Sequence, residues 1–210
     1  MNIAILGTGR VGSTLGRRWA QHGHQVVFGS RQPQSEKVQA LLAETGSGTR
    51  ATSLAEAAAG ADVVALVCPW RAAEEIVASI PDWDGKILVD CTNPIAEGRS
   101  GLSLGTTTSA AEKIAEWAVG ARVVKAFNTV GTSIMENPRF GEEAATLFLC
   151  GDDSQAKKSV QELAGSLGFE VIDAGALSSA RYLEPLAMLW IHLAYNQGLG
   201  REIAFKLLKR

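Results

Sequence analysis

Residues 2–12 read Asn-Ile-Ala-Ile-Leu-Gly-Thr-Gly-Arg-Val-Gly, a short apolar run that leads directly into three glycines spaced as G-x-G-x-x-G. Apolar residues then recur at Val11, Leu15 and Trp19, which is the spacing of one helix face, and Gly23 follows as a helix stop. A strand, a glycine turn and an amphipathic helix in this order form the first half of a β-α-β unit. The stretch therefore predicts an α/β fold that starts with this strand.

Further short apolar runs alternate with amphipathic stretches along the rest of the chain. Strands that are apolar on both faces are typical of parallel sheets covered by helices. The alternation predicts a doubly wound, mostly parallel sheet of the Rossmann type over residues 1–180. Residues 181–210 have a helical pattern and are expected to form a small C-terminal cap over the site or a dimerisation segment. The expected strands are Asn2–Leu6, Gln25–Gly29, Asp62–Val67, Lys86–Asp90, Arg122–Phe127, Ala145–Leu149 and Glu170–Asp173.

The composition of the 210 residues excludes several classes of protein. Hydrophobic residues make up 46% and charged residues 20%, a balance that indicates a folded chain rather than a disordered one. The formal net charge is -2, so neither nucleic acid nor a membrane is an expected partner. Cys68, Cys91 and Cys150 lack the paired spacing of zinc sites and disulfide frameworks, so no metal is expected. We expect a cytoplasmic protein that acts on a small molecule.

The glycine loop predicts a dinucleotide site, because it follows a strand and opens a helix. Gly7 permits a tight turn, Gly9 lets the backbone approach a pyrophosphate, and Gly12 lets the helix pack against the strand. The N-terminus of the helix then offers unpaired N–H groups and a positive dipole to the phosphates. The alternative is a glycine turn that binds nothing.

The end of the second expected strand indicates which dinucleotide is bound. An NAD site places a carboxylate there to bind the ribose hydroxyls, whereas this chain has Ser30 and Arg31, with Lys37 shortly after. A hydroxyl and a guanidinium suit a 2′-phosphate, because arginine forms charge-assisted hydrogen bonds with phosphate oxygens. The sequence therefore predicts NADP rather than NAD, the alternative being that Arg31 is a solvated loop charge.

The sequence offers no evident proton donor for the reduction of a carbonyl. His22 and His24 lie at the sheet end opposite the glycine loop, His192 lies in an apolar helix, and Lys125 lies within a strand, where a structural role is favoured. An enzyme can do without such a group if hydride passes directly between two ring systems. We therefore predict no catalytic side chain and a flavin-like hydride acceptor.

At this point the residues resemble a family, the coenzyme F420-dependent NADP oxidoreductases (NADPH:F420 reductases), and more loosely the reductase domain of the STEAP ferric reductases. The matching pieces follow one another in order over nearly the whole chain. They are Gly7–Gly12, Gly29-Ser30-Arg31, Cys68-Pro69-Trp70, Cys150-Gly151-Asp152-Asp153, and Asp173-Ala174-Gly175-Ala176-Leu177 leading into Arg181 and Glu184.

The resemblance implies a homodimer that transfers hydride between NADPH and the deazaflavin ring of F420. It also implies particular ligands for NADP. Thr8, Gly9, Arg10 and Val11 would hold the pyrophosphate, Ser30 and Arg31 the 2′-phosphate, and Cys68, Pro69 and Trp70 would border the nicotinamide.

Two loops depart from the methanogen type and are expected to face the second substrate: Asp90–Ile95, with Asn93, and Lys125–Val130, with Asn128. Asn128 at a strand end suits either the nicotinamide amide or a substrate carbonyl. Asn93 is expected to bind the cofactor, the alternative being that Asn93-Pro94 is only a turn. The acceptor therefore stays open between F420 and a flavin. Two further hypotheses remain, an NADPH-dependent reductase of a small imine or carbonyl and a non-catalytic NADP(H) sensor.

Overall fold

The computed structural model of the chain describes residues 1–46 and 48–210. A mostly parallel sheet forms the centre of the molecule, and helices cover both of its faces. The strands of this sheet, in chain order, are β1 (Asn2–Leu6), β2 (Gln25–Gly29), β3 (Thr49–Thr52), β4 (Val63–Leu66), β5 (Ile87–Asp90), β6 (Arg122–Lys125), β9 (Thr146–Gly151) and β10 (Glu170–Asp173). A separate small hairpin is formed by β7 (Arg139–Phe140) and β8 (Glu143–Ala144).

The strand order in the sheet is β10-β9-β6-β5-β4-β1-β2-β3, which confirms the doubly wound Rossmann-type topology. β1 lies between β2 and β4, so the chain reverses its direction of travel across the sheet at β1. In such sheets ligands bind outside the carboxyl ends of the strands at this reversal. Among the strand pairs of the sheet, β6 and β9 are antiparallel, which makes the sheet mostly rather than wholly parallel.

Two features of the sheet differ from the expectation. β3, with the sequence Thr-Arg-Ala-Thr, was not expected, because it is polar and only half-buried at the sheet edge. The β7–β8 hairpin was not expected either, since each of its strands has two residues and is largely exposed.

The alternation of side chains along β1 explains why helices cover both faces. Ile3 and Ile5 pack into one hydrophobic cluster, while Ala4 and Leu6 pack into the other. The helices are α1 (Arg10–Gln21), α2 (Glu36–Thr45), α3 (Leu54–Ala59), α4 (Ala73–Ala78), α5 (Ala110–Trp117), α6 (Thr132–Glu136), α7 (Ser154–Ser166) and α8 (Ala180–Ile191). The first cluster contains buried residues of α1, α2, α6 and α7, and the second contains buried residues of α3, α4, α5 and α8.

The C-terminal segment is helical for only part of its expected length. A π-helical turn, His192–Asn196, continues α8, and the chain then becomes irregular at Gly198 and Gly200, whose φ angles are +72° and +77°. The last residues return to the start of β9, where Thr146 donates its backbone N–H to the carbonyl of Phe205. The tail is therefore secured by contacts with the sheet rather than by further helical turns. Among the described residues no helix is long and apolar enough to span a membrane.

Candidate functional site

A cleft of about 740 Å³ lies at the carboxyl ends of β1, β2 and β4, where the sheet reverses its strand order. We call it the glycine-loop cleft. It brings together the glycine loop and most of the residues expected to contact the adenosine end of a dinucleotide. Its lining includes Gly7, Thr8, Gly9, Ser30, Arg31, Lys37, Cys68 and Pro69.

The three glycines of the loop have three different structural roles. Gly7 has a φ of +134°, and a Cβ there would lie 2.2 Å from the carbonyl oxygen of Val67. A Cβ on Gly12 would lie 2.0 Å from the carbonyl oxygen of Gly7, so α1 can approach β1 only because Gly12 has no side chain. A Cβ on Gly9 would meet no atom of the described residues within 4 Å. Gly9 therefore leaves open space in front of the loop, which is where the pyrophosphate of a dinucleotide is expected.

The start of α1 supplies donors to this space. Gly9 is the N-cap of α1, and no side chain caps the helix by a hydrogen bond. The first N–H groups of a helix have no partner within the helix, and together they attract an anion. Arg10 is exposed at the same end of α1 and adds a positive charge, while Val11 is half-buried.

The end of β2 carries the groups expected to bind a 2′-phosphate. Arg31 is exposed, and Ser30 is half-buried with its hydroxyl accepting a hydrogen bond from the backbone N–H of Gln32 at 3.1 Å. Ser35 also lines the cleft as the N-cap of α2, and its side chain forms no capping hydrogen bond. Ser35 was missed in the sequence, although its place one residue before a helical pattern is a recognisable signal for a helix N-terminus.

The turn after β4 divides into two parts. Cys68 and Pro69 line the glycine-loop cleft, and burial raises the pKa of the Cys68 thiol to about 12, so the thiol is protonated at neutral pH. Trp70 is not among the described residues that line the cleft. Its ring stacks on that of Trp117, with the ring centroids 5.3 Å apart and an interplanar angle of 21°.

A second pocket, of about 250 Å³, is lined by Arg10 and Val11, the residues that directly follow Gly9 of the glycine-loop cleft in the chain. We call it the second pocket. Its walls come from the loop after β5, the loop after β6, the start of α6 and the C-terminal segment. The lining consists of Arg10, Val11, Cys91, Asn93, Phe127, Asn128, Val130, Gly131, Thr132, Met135, Trp190, Ile191, Tyr195 and Arg201.

Asn93 and Asn128 meet in the second pocket and fix each other's amide orientation. Asn93 donates its Nδ2–H to the backbone carbonyl of Asn128 at 3.0 Å, so its Oδ1 must face Asn128 and accept a hydrogen bond from it at 3.1 Å. Asn128 donates its second Nδ2–H to the carbonyl of Leu183 at 3.0 Å. Its Oδ1 is buried and has no hydrogen-bond partner among the described residues. Because a buried acceptor without a partner is costly, this oxygen is suited to a ligand N–H or O–H.

The backbone before Asn128 is strained. Phe127 has a φ of +63°, a conformation that costs roughly 1–3 kcal/mol for a residue with a large side chain. Edge-to-face contacts with Trp19 and Phe169, at centroid distances of 5.7 Å and 6.3 Å, hold its ring in the core. The strained residue therefore directs the chain so that Asn128 faces the second pocket, while its own ring anchors the loop.

Lys125 is fully buried at the end of β6, and its ammonium group is satisfied by three acceptors. It contacts Asp90 Oδ2 at 2.8 Å, the carbonyl of Thr92 at 2.6 Å and Glu184 Oε1 at 2.9 Å. Burial acts against the charge of Lys125, but the carboxylates of Asp90 and Glu184 outweigh it and raise the pKa of the lysine. With its three protons engaged, Lys125 has none to offer a substrate, which agrees with the structural role expected for it.

Glu184 extends this network to α5. Its carboxylate accepts hydrogen bonds from the backbone N–H groups of Ala110 and Ala111, at 3.0 Å and 3.2 Å, at the N-terminus of that helix. The network therefore ties α8 and α5 to the ends of β5 and β6, immediately before the loops that carry Asn93 and Asn128. The resemblance named Glu184 as a matching residue, and the structure shows what it contacts.

Several residues of the second pocket were missed in the sequence, namely Trp190, Tyr195 and Arg201. Trp190 donates its indole N–H to the carbonyl of Ile203 at 2.8 Å, which holds the tail against the end of α8. Trp190 belongs to α8 and Tyr195 to the π-helical turn that continues it, so both reach the pocket through the packing of this helix. Arg201 reaches the pocket because the chain folds back after that turn, and no local pattern encodes either placement. Among the described residues no group of His, Cys, Asp and Glu side chains could hold a metal ion.

Comparisons with known proteins agree with this geometry. A sequence profile of the family described as NADP oxidoreductase, coenzyme F420-dependent, matches residues 2–94. The F420-dependent NADP reductase of Methanothermobacter marburgensis is 31% identical over 207 residues, which cover 92% of this chain and 92% of that protein. Metalloreductase STEAP3 of Rattus norvegicus is 34% identical over 191 residues, and these cover 89% of this chain but only 37% of that protein.

The whole fold also has a solved counterpart. A crystal structure from Arthrobacter sp. FB24, which carries a provisional F420-dependent NADP reductase name, superposes with a TM-score of 0.91 at 32% identity and covers 100% of both chains. The identity and the mutual coverage of these relatives extend well beyond the glycine loop. The chain therefore belongs to the coenzyme F420-dependent NADP oxidoreductase family and is an NADP-dependent oxidoreductase.

Proposed function

We propose that the protein transfers a hydride between NADPH and a deazaflavin such as F420, or a flavin-like acceptor. The observation that carries the proposal is that two cavities flank the N-terminus of α1: Gly9 lines the glycine-loop cleft, and the next two residues, Arg10 and Val11, line the second pocket. A dinucleotide that lies across this junction has its adenosine end in one cavity and its reactive end in the other.

The glycine-loop cleft provides the groups that would hold the phosphates of NADP. The N–H groups at the start of α1, with Thr8, Gly9, Arg10 and Val11, would bind the pyrophosphate, while Gly7 and Gly12 allow the loop to take its shape. Ser30, Arg31 and Lys37 would bind the 2′-phosphate, and the helix N-terminus at Ser35 adds to them. Cys68 and Pro69 would border the nicotinamide side of the cleft.

Trp70 would act on the nicotinamide side indirectly, by supporting the turn after β4. Its ring packs on Trp117, and this contact would hold the preceding residues, Cys68 and Pro69, at the cleft. Asn93 and Asn128 would hold the carboxamide of the nicotinamide, with Asn128 Oδ1 accepting its N–H. That contact would fix the rotation of the ring in the second pocket.

The polar groups that line the second pocket support direct transfer between rings. They are two amides, a hydroxyl, a thiol, a phenol and two arginines, and burial raises the pKa of the Cys91 thiol. When bound, NADPH supplies the hydride, and the acceptor gains that hydride together with one proton from solvent. The task left to the protein is to align the two rings and to keep water away from them, which Phe127, Trp190 and Tyr195 are placed to do.

We also propose a homodimer and a cytoplasmic location. An apolar face of α8 supports the homodimer, because Tyr182 and Leu189, seven residues apart on the helix, are 77% and 46% exposed. Light scattering on the wild type and on the variant Tyr182→Glu/Leu189→Glu would test it, with a dimer expected for the former and a monomer for the latter. A wild-type monomer would contradict the homodimer.

The proposed cytoplasmic location is supported by the cysteines. Cys68, Cys91 and Cys150 are all free thiols, which is typical of proteins in a reducing compartment.

A turnover assay tests the proposed reaction. The purified protein is mixed with NADPH and, in separate reactions, with F420, FMN or a cyclic imine, and the nicotinamide absorbance is followed. Turnover with F420 or FMN supports the proposal. Turnover with the imine alone would replace it by imine reduction, and tight NADPH binding with no turnover on any acceptor would indicate a sensor.

A further inference from the structure

The C-terminal segment places a cation at the rim of the second pocket. The guanidinium carbon of Arg201 lies 5.5 Å from the ring centroid of Tyr195, and Tyr195 in turn meets Trp190 edge to face with the centroids 6.2 Å apart. All three residues line the pocket. This edge-to-face pair of rings holds the exposed Arg201 at one place on the rim, which restricts its motion without neutralising its charge.

No acidic side chain offsets this charge within the pocket lining. Arg10 and Arg201 are both there, and neither forms an ion pair with any residue that the structure describes. Glu202 follows Arg201 in the chain but is not one of the lining residues. Glu136, at the end of the helix that lines one side, is held by Arg17. The rim is therefore locally positive in a chain whose net charge is -2.

The size of the second pocket limits how much of an acceptor it can enclose. A volume of about 250 Å³ is below the range of about 300–1,000 Å³ that is typical of sites for whole drug-sized ligands. The pocket therefore cannot enclose both the nicotinamide and a whole acceptor, and any side chain of the acceptor must leave over the rim. Arg10, at the start of α1, is already proposed to bind the pyrophosphate of NADP. Arg201 is therefore the arginine of the pocket that is available to bind the side chain of the acceptor.

We propose that the second pocket selects acceptors that carry an anionic group, a phosphate or a carboxylate, on the side chain of the ring, and that Arg201 binds this group. The inference rests on the proposed function, since it concerns the second substrate of the same reaction. Arginine forms strong charge-assisted hydrogen bonds with both kinds of anion. A neutral ring of the same shape would enter the same pocket without this contact.

The test compares compounds that have the same ring system but differ in whether their side chain carries an anionic group. FMN and riboflavin share one ring, and F420 and its ring-and-ribityl fragment share another, but only FMN and F420 carry anionic groups. Binding of each to the protein with NADP⁺ present is measured by the quenching of ring fluorescence, and turnover is measured with NADPH. The wild type is compared with Arg201→Gln and with the control Arg50→Gln, which removes an equal charge from β3, outside the second pocket.

The wild type should bind FMN and F420 at least about tenfold more tightly than their neutral counterparts, the effect of one charge-assisted hydrogen bond. Arg201→Gln should abolish that difference, raise KM for the anionic acceptor with little change in kcat, and leave KM for NADPH and binding of the neutral rings unchanged. Arg50→Gln should behave like the wild type. Added salt should weaken the preference in the wild type but not in Arg201→Gln.

Two results would overturn the inference. Equal binding of charged and neutral rings by the wild type would do so, as would an equal loss for both kinds of ring in Arg201→Gln. These results are separable from a failure of the proposed function. If no ring compound is reduced but FMN binding depends on Arg201, the anion site stands and the proposed reaction fails. If charged and neutral rings are bound and reduced alike, the reaction stands and the anion site fails.

Discussion

The side chains of Asn93 and Asn128 hold each other in one orientation, because a backbone carbonyl accepts a hydrogen bond from each amide group. Asn128 Oδ1 is consequently an acceptor, and no donor reaches it from the described residues. A substrate carbonyl is itself an acceptor and cannot pair with this oxygen. The sequence left two roles open for Asn128, and this orientation favours the nicotinamide amide.

The first prediction uses an NADP⁺ analogue in which an acetyl group replaces the carboxamide and so removes its N–H donors. The wild type should bind the analogue roughly five- to tenfold more weakly than NADP⁺, the effect of one lost hydrogen bond. In Asn128→Leu the two nucleotides should bind equally. Isothermal titration gives both constants, and thermal unfolding of the variant serves as the control for folding. A preference for NADP⁺ that persists in Asn128→Leu would remove Asn128 from the nicotinamide site.

The second prediction contrasts two glycines of one loop. Gly9→Ala should fold with a nearly unchanged Tm, since the added methyl group meets no atom of the described residues within 4 Å, but it should weaken NADPH binding by roughly tenfold or more. Gly12→Ala should be destabilised by at least about 1–3 kcal/mol, because its Cβ would lie 2.0 Å from the carbonyl oxygen of Gly7. Tm and the Kd for NADPH distinguish the two variants. Full NADPH affinity in Gly9→Ala would show that the pyrophosphate lies elsewhere.

The third prediction concerns the choice between NADPH and NADH. Arg31 is exposed at the cleft and lacks an ion-pair partner among the described residues, so its charge is available to a 2′-phosphate. Arg31→Ala should weaken NADPH binding by about 1–3 kcal/mol and leave NADH binding unchanged. Measured Kd values for both nucleotides test this, with Arg50→Ala as the matched control. The 2′-phosphate assignment fails if Arg31→Ala keeps the preference of the wild type.

The fourth prediction concerns the buried network of Lys125. Lys125→Met should lower the stability by about 3–5 kcal/mol, because it leaves the carboxylates of Asp90 and Glu184 buried without their cation. For a chain of this size that corresponds to a fall in Tm of roughly 2–4 °C per kcal/mol.

Removing the carboxylate charges as well, in Lys125→Met/Asp90→Asn/Glu184→Gln, should recover part of this loss, since no unpaired charge then remains buried. Thermal and urea unfolding measure both variants. A triple variant less stable than Lys125→Met would show that the hydrogen bonds of the carboxylates to Thr92, Ala110 and Ala111 matter more than their charge.

Local sequence patterns predicted much of the fold and the part of the site that lies in the glycine-loop cleft. The glycine loop and the residues Ser30 and Arg31 are contiguous in sequence with β1 and β2, so their meeting place follows from the parallel pairing of these strands. β3 could not be predicted from the sequence, because an edge strand need not be apolar. The irregular path after Asn196 could not be predicted either, because contacts with Thr146 and Trp190 determine it. Arg201 enters the second pocket by that path and there meets Tyr195, which contacts Trp190 edge to face.

Transfer of an isotope label tests the central claim most directly. NADPH that carries deuterium at the transferred position of its ring is incubated with the protein and F420, whose reduced ring carbon does not exchange its hydrogen with water. The account predicts that the label appears on the ring carbon of the reduced deazaflavin, because the hydride passes directly between the two rings. Reduced F420 without the label, or no reduction of F420 or of any flavin while NADPH binds tightly, would contradict it.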